Sequence, residues 1–420
     1  MGIPYYIASI LRKNKHIQKN CNQLVEYDTL GLDFNCFIHK YLKAENPVGS
    51  VICALYDFFE TVARGKRVYI AIDGLVPFAK IVQQRYRRFR KPDEATEFDK
   101  HQISPGTKYM KDLGEALKMC FPDCIVSDTE EPGEGEHKIF RWFRSIPEKD
   151  RGRMCVYGLD ADLVLIALAQ RSLGNMEILR EREDDGFCAI SIDAFAQCLP
   201  VQNVDEYIQM CIYCFGNDFM PPIAIFSLRE DGYARALHYL QQGKLQYAAK
   251  DEEKILLKRR KDKDSHIIAP DAQALEERVA LHLMDGVLNW EKVTFAFWKT
   301  FWWTYLYFTT SEAPDWCWYY PYPEAPLMKT IINYPRIEKT EIEWEHKEPP
   351  YSIQQQLEFI LPEKSLGMEC KFPDELYDEH GFDMRHMWMR HYKWECDPFI
   401  SLPWNPAFEP TTVVFLPTEA

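Results

Sequence analysis

The sequence predicts an α/β protein built on a mostly parallel, doubly wound sheet with helical additions, and three observations carry that expectation. Short runs of β-branched and aromatic residues, bounded by glycine or aspartate, read as buried parallel strands. Stretches with helical apolar spacing alternate with them. Several of the strand-like runs end in an acidic residue, at the edge where doubly wound sheets hold their ligands.

Taken in order, LGLDFN is a strand-like run ending at Asp33. A helical pattern follows over Val48 to Ala63, and the run from Val68 to Ile72 leads to Asp73. AKIVQQRYRRFRK (Ala79 to Lys91) has the spacing of a basic helix, and Tyr109 to Met119 reads as another helix. CIVSDTEEPGEGEHKIFRWF passes from a strand, through a loop carrying Glu134 and Glu136, into an amphipathic helix. Met154 to Tyr157 is a strand that leads through Asp160 and Asp162 into an apolar helix, and FGNDFMPP places Asp218 in a turn. The composition turns polar and helical from about Tyr233 to Arg278, including the charged run LLKRRKDKD. A dense aromatic block spans Trp290 to Tyr334, and a proline-punctuated tail of strand or loop segments closes the chain. There is no internal repeat. These shifts divide the chain into a core over 1–235, a polar helical linker over 236–289, and an aromatic-rich block over 290–420 packed against the core.

The chain has 420 residues, 46% of them hydrophobic and 27% charged, so it is globular and long enough to bury a large core. Its net charge of −14 argues against a generally basic nucleic-acid binder, unless carboxylates are gathered to hold cations. The 13 cysteines are scattered. Cys211 and Cys214 form a CxxC within a helical run with no second pair nearby, so reduced buried thiols and a reducing compartment are expected. The opening residues lack a charged region before an apolar stretch, so no signal peptide is expected, and no apolar run suits a membrane span. The expected location is cytoplasmic, with Lys258-Arg259-Arg260-Lys261 as a weaker nuclear signal.

Asp33, Asp73, Glu134, Glu136, Asp160, Asp162 and Asp218 each fall at a strand end or in a turn. Crowded like charges are costly unless a cation compensates them. Carboxylate oxygens suit Mg²⁺ or Mn²⁺, and two such ions clamp the attacking and leaving oxygens of a phosphodiester. Each pair alone has a plainer reading: Asp160 and Asp162 as a helix N-cap, Glu134 and Glu136 as a solvated turn. Their joint placement favours metal. On the basic helix, Lys80, Gln84, Arg87 and Arg88 share one face and suit a terminal phosphate, against the plainer reading of a solvated helix. In the aromatic block most rings are expected to pack, while Trp316 and Trp318 offer stacking faces for unpaired bases. His39, six residues after Asp33, stands near the expected metals.

MGIP, LDFNCFIH, AIDGLVPFAKIVQQRYRRFR, ISPGTKYM, EPGEGEHKI, YGLDADL and GNDFMP occur in the order seen in Xrn-type 5′→3′ exoribonucleases. WYYPYPEAP, IQQQLEFILPEKS and the Trp394-Glu395 region resemble that family's second block. The resemblance implies a nuclease core of the PIN/FEN type. It also implies a Mg²⁺-dependent, processive enzyme releasing 5′-mononucleotides from single-stranded RNA with a 5′-monophosphate. By motif match, Asp33, Asp73, Glu134, Glu136, Asp160, Asp162 and Asp218 would hold the metals. Lys80, Gln84, Arg87 and Arg88 would bind the 5′-phosphate. His39 and Trp318 or Trp316 would stack on the terminal bases. Phe78 departs from the pattern, which has a basic residue there, as do Pro323 and Glu324. The chain reads as a compact member without the long C-terminal extension. A flap-type DNA nuclease would carry glycines of a helix-hairpin-helix after Asp218, which are missing. A non-catalytic RNA-binding scaffold would be expected to have lost some of the carboxylates.

Overall fold

The computed structural model describes residues 6–89, 101–182, 186–201, 203–226, 228, 232–242, 247–252, 290–322 and 325–361. The MGIP opening, the run Lys258 to Lys261, most of the expected linker, Pro323, Glu324 and the tail with Trp394 and Glu395 lie outside the described residues.

Five parallel strands form the centre of one sheet: β2 (Val25–Asp33), β3 (Ala63–Ala71), β4 (Ile125–Ser127), β5 (Met154–Tyr157) and β6 (Met176–Glu181). Two antiparallel strands, β1 (Gln18–Cys21) and β7 (Phe187–Ser191), extend one edge, giving the order β1-β7-β6-β5-β2-β3-β4. The chain runs outward from β2 through β3 to β4, then returns to place β5 on the other side of β2. The gap between the carboxyl ends of β2 and β5 is therefore the switch point of a doubly wound sheet. Asp33 closes β2 opposite Ala71 of β3, while Leu32 pairs with Tyr157 of β5. This register sets the segments carrying Asp33, Asp73 and Asp160 side by side.

Side chains alternate between the two faces of the sheet, as pleating demands. Leu30, Leu32, Val68, Ile70, Cys155 and Tyr157 join one apolar cluster. It is covered by α3 (Pro47–Thr61), through Val51, Leu55 and Phe58, and by α5 (Lys108–Cys120), through Met110, Leu113 and Leu117. Asn46 caps the first of these helices by accepting from Gly49 N, and Thr107 caps the second. Tyr69, Ala71, Met154, Val156, Met176 and Ile178 face the other way. They meet α4 (Phe78–Phe89), α6 (Gly135–Ser145), α7 (Leu163–Ala169) and α9 (Val204–Phe215), with the short α8 (Ile192–Gln197) beside them. Cys211 and Cys214 lie fully inside this layer on α9.

The aromatic block forms α11 (Trp290–Thr310), which is buried on most of its circumference through Phe297, Phe301, Trp303, Tyr307 and Phe308. It packs against α7 and α9 and belongs to the same cluster as the sheet. Further along, α12 (Met328–Asn333) packs beside α11, and α13 (Ile353–Ile360) packs against α4. The described part of the expected linker differs from a solvated connector. On α10 (Gly232–Gln242), Ala236 and Tyr239 are buried, Ala248 joins the same cluster, and buried Glu252 accepts from Met328 N at 2.6 Å. Polar composition concealed the apolar positions on the inner face of these helices.

Candidate active site

The carboxylates predicted from strand ends gather at the switch point. Ligand oxygens of Asp33, Asp73 and Glu136 lie within 4.8 Å of one another. Asp33, Glu134, Glu136, Asp162 and Asp218 are buried. The loop before α6 explains how two neighbouring glutamates reach one place. Gly133 adopts φ +120°, a conformation costly for other residues, and turns the chain into the helix. Gly135, the first helical residue, donates its N–H to Asp73 Oδ1 at 2.7 Å. A side chain there would put a Cβ 2.8 Å from Asp33 Oδ1 and 3.1 Å from Ala71 O. The two glutamates diverge from this point. Glu136 joins Asp33 and Asp73, while Glu134 accepts from Tyr307 OH at 3.0 Å and pairs with Lys80 at 2.6 Å. His137 and Lys138 belong to α6 and are buried: His137 stacks on Tyr307, and Lys138 Nζ donates to Ile72 O and Asp128 O.

Asp162 stands at the N-cap of α7 but makes no side-chain cap bond, and its buried Oδ1 has no hydrogen bond. The capping explanation for this residue therefore does not hold. Arg180 donates to the carbonyls of Leu159 and Asp160, fixing the loop that carries Asp160. Cys36 donates to Asp33 Oδ2 at 3.0 Å, and Asp73 N donates to Asn35 Oδ1 at 3.2 Å.

Electrostatics agree with a cation-seeking cluster. Burial, then the Asp73 and Asp160 charges, hold the Asp33 carboxyl well above its ordinary value. Glu136 is raised by burial, Glu134 and Asp33, and Asp162 is pushed up to about 7 by burial, Asp218 and Asp160. Buried oxygen donors that repel one another, an unbonded carboxylate oxygen and a backbone cradle closed to any Cβ together fit a divalent metal.

Lys80 stands in the first turn of α4, one turn before Gln84. Its ammonium points into the carboxylates, 2.6 Å from Glu134 and 2.8 Å from Asp218. Burial opposes its charge, but Asp218 and Glu134 outweigh burial and hold its pKa well above the usual lysine value. Gln84 is buried one turn on, with no hydrogen bond at Oε1. Arg87 and Arg88 lie further along α4, with side chains outside the described residues. Arg85 points the other way, donating to Phe359 O with its guanidinium 4.6 Å from the Phe359 ring. Phe78 is fully buried against Tyr319, Tyr351 and Phe359, which accounts for an aromatic where the resemblance has a basic residue.

His39 is exposed at the C-cap of α2 (Phe34–Ile38). Trp316 is buried, and its carbonyl accepts from Phe78 N at 2.9 Å. Trp318 is half-buried: its indole N–H donates to Thr300 Oγ1 at 3.0 Å, and Lys299 covers its ring at 4.5 Å. The structure thus brings the carboxylates and Lys80 together and sets both tryptophans in packed positions. Sequence reasoning missed Tyr307, Tyr351 and Gln356. Tyr351 OH donates to Val76 O and Trp316 O, and Gln356 Oε1 accepts from Val76 N at 2.9 Å, bracing the loop after Asp73. A glutamine among the inward positions of IQQQLEFI was the available signal.

Residues 1–97 and 91–182 match the family described as the XRN 5′-3′ exonuclease N-terminus. The chain is 28% identical over 319 residues to 5′-3′ exoribonuclease 1 of Saccharomyces cerevisiae, covering 58% of this chain and 21% of that protein. It is 26% identical over 371 residues to 5′-3′ exoribonuclease 2 of Gallus gallus, covering 57% and 38%. With 5′-3′ exoribonuclease 1 of Homo sapiens it is 31% identical over 227 residues, covering 43% and 13%. The matched regions span less than half the length of each of these relatives. The solved catalytic core of Rad2 in complex with DNA aligns over 61% of this chain and 75% of that one, with a TM-score of 0.38 and 14% identity. The family match over residues 1–182 and relatives that agree in name support the Xrn 5′-3′ exonuclease family as the one this chain is similar to.

Proposed function

We propose that the protein is a Mg²⁺- or Mn²⁺-dependent 5′→3′ exoribonuclease that degrades single-stranded RNA processively from a 5′-monophosphate to 5′-mononucleotides. The observation that carries this reading is the convergence of Asp33, Asp73 and Glu136 oxygens within 4.8 Å at the sheet's switch point. The relatives' names supply the substrate class and direction. Asp33, Asp73 and Glu136 would hold one ion, with Asp160, Asp162 and Asp218 supplying a second and Glu134 beside them. Bound there, the ions supply Lewis-acid stabilisation of the scissile phosphodiester and lower the pKa of the attacking water.

The chain's own groups divide the remaining work. Lys80 neutralises part of the cluster and ties α4 to it through Glu134 and Asp218. Gln84, Arg87 and Arg88 follow on the same helix and bind the 5′-phosphate, so the bond presented to the carboxylates is the next one along. A pocket built for one phosphate excludes a capped or triphosphorylated end. The exposed ring of His39 and that of Trp318, or else Trp316, stack on the terminal bases. Stacking reads no base identity, so sequence preference is weak.

The test uses end-labelled 5′-monophosphate and 5′-hydroxyl RNA with and without Mg²⁺. The expected outcome is mononucleotide release from the phosphorylated strand only, dependent on Mg²⁺ and abolished in Asp160→Ala with RNA binding retained. Equal degradation of both strands would remove the phosphate pocket. Wild-type turnover in Asp160→Ala would remove the metal assignment.

A further inference from the structure

Away from the carboxylate cluster, the segment before the aromatic motif approaches the chain near residue 346. There a carboxylate oxygen of Asp315, the Cys317 sulfur and a His346 ring nitrogen lie within 4.8 Å of one another. We propose that these three side chains form a second metal site, for a zinc-class divalent ion, distinct in chemistry and place from the carboxylate cluster.

The donor set makes the first argument. Oxygen donors alone select hard ions such as Mg²⁺, whereas thiolate with imidazole selects d-block ions of the zinc class. Three protein ligands leave a fourth position for water.

Geometry makes the second. His346 Nδ1 lies 3.3 Å from Asp315 Oδ1 yet makes no hydrogen bond, although the atom is buried. A charge-assisted bond between them would be shorter and aligned. Two acceptors directed at one ion with bonds of about 2.0 Å stand about 3.3 Å apart, the edge of a tetrahedron. Asp315 is 3% exposed, and it accepts from Cys317 N at 2.9 Å and Glu345 N at 3.1 Å. Those two bonds leave the carboxylate further lone pairs.

The ligands are also pre-positioned. Trp303 Nε1 donates to Asp315 O at 2.8 Å, Trp316 N donates to His346 O at 2.7 Å, and Lys347 Nζ donates to Pro314 O at 3.1 Å. Both strands of backbone are thereby fixed before any ion arrives, as a built site requires. His346 is 29% exposed, which leaves a route for the ion. An ion here would pin residues 315–317 to 346 and so brace Trp316, whose carbonyl receives Phe78 N at the start of α4.

The test is a Co²⁺ titration of the full chain in excess Mg²⁺, which occupies oxygen-only sites. A thiolate-to-cobalt charge-transfer band should rise and saturate at one equivalent, and Zn²⁺ should abolish it. Cys317→Ser, close in shape to the original, should lose the band. Cys198→Ser should keep it; that residue forms the separate Cys198–His16 pair, 2.9 Å apart. In parallel, one equivalent of Zn²⁺ should raise the Tm of the wild type and of Cys198→Ser but not of Cys317→Ser. Absence of a thiolate band in the wild type, its survival in Cys317→Ser, or its loss in Cys198→Ser would each overturn the proposal. None of these readouts depends on nuclease activity.

Discussion

Gly135→Ala isolates the packing of the carboxylate cluster from its chemistry. Position 135 begins a helix, so alanine suits the backbone and contributes up to about 1 kcal/mol of helix propensity. The N–H that binds Asp73 is retained. The new Cβ, however, falls 2.8 Å from Asp33 Oδ1, 3.1 Å from Ala71 O and 3.4 Å from Asp73 Oδ1. Ala71 O belongs to a central strand and yields little, so the Asp33 carboxylate must move by several tenths of an ångström. Overpacking of this kind costs about 1–3 kcal/mol, which leaves a net destabilisation of about 0–3 kcal/mol after the propensity gain. Misplacement by about 1 Å costs a catalytic site about 100-fold, so the rate should fall by about 10- to 100-fold. Urea unfolding and mononucleotide release at saturating Mg²⁺ measure the two effects separately. A rate within about twofold of wild type would show that Asp33 has room to spare and that its position does not govern the chemistry.

Three further substitutions probe what surrounds the cluster. Lys80→Met leaves Glu134 and Asp218 without their buried cation and should cost about 3–5 kcal/mol in the absence of divalent ions, by urea unfolding in chelator. A loss below about 1 kcal/mol would mean that Lys80 is not the internal counter-ion. Tyr307→Phe removes the 3.0 Å bond to Glu134 and should cost about 1.5–3 kcal/mol on the same measurement, with its neutral shape unchanged. Gln356→Leu orphans the buried N–H of Val76 and should cost about 1–3 kcal/mol; because that loop follows Asp73, the rate of RNA degradation should fall with it.

The strand-end acids were legible because a parallel sheet puts its carboxyl ends on one edge, and Asp33, Asp73 and Asp160 follow short β-branched and aromatic runs that read as buried strands. Lys80 was legible only in part. Helical spacing groups it with Gln84, Arg87 and Arg88, but cannot say that its first-turn position faces Asp218, 138 residues later. Trp316 and Trp318 looked like stacking faces because prolines flank their segment. Their surroundings come from α11: Trp318 donates to Thr300, and the adjoining Asp315 carbonyl receives Trp303. The antiparallel strands β1 and β7 escaped notice since QKNC and FCAIS carry weak alternation, and their pairing comes from each other and, for β7, from β6.

The second block is part of the site's architecture rather than an appendage, and the loop from Asp73 to Phe78 shows why. Its backbone turns away from the sheet, so strand pairing cannot satisfy its polar groups. Instead Val76 N donates to Gln356, Val76 O accepts from Tyr351, and Phe78 N donates to Trp316 O. Each such buried group left unpaired costs about 1–3 kcal/mol, so together they weigh several kcal/mol against a total stability of about 5–15 kcal/mol. Tyr307 adds its bond to Glu134, and Arg85 holds the far end of α4 to Phe359. The carboxylates come from the first 218 residues, but the backbone that aims Asp73 and the helix that carries Lys80 are held by residues 307–359. A fold that placed the acids alone at the sheet edge would still lack the partners that keep this loop and helix in place.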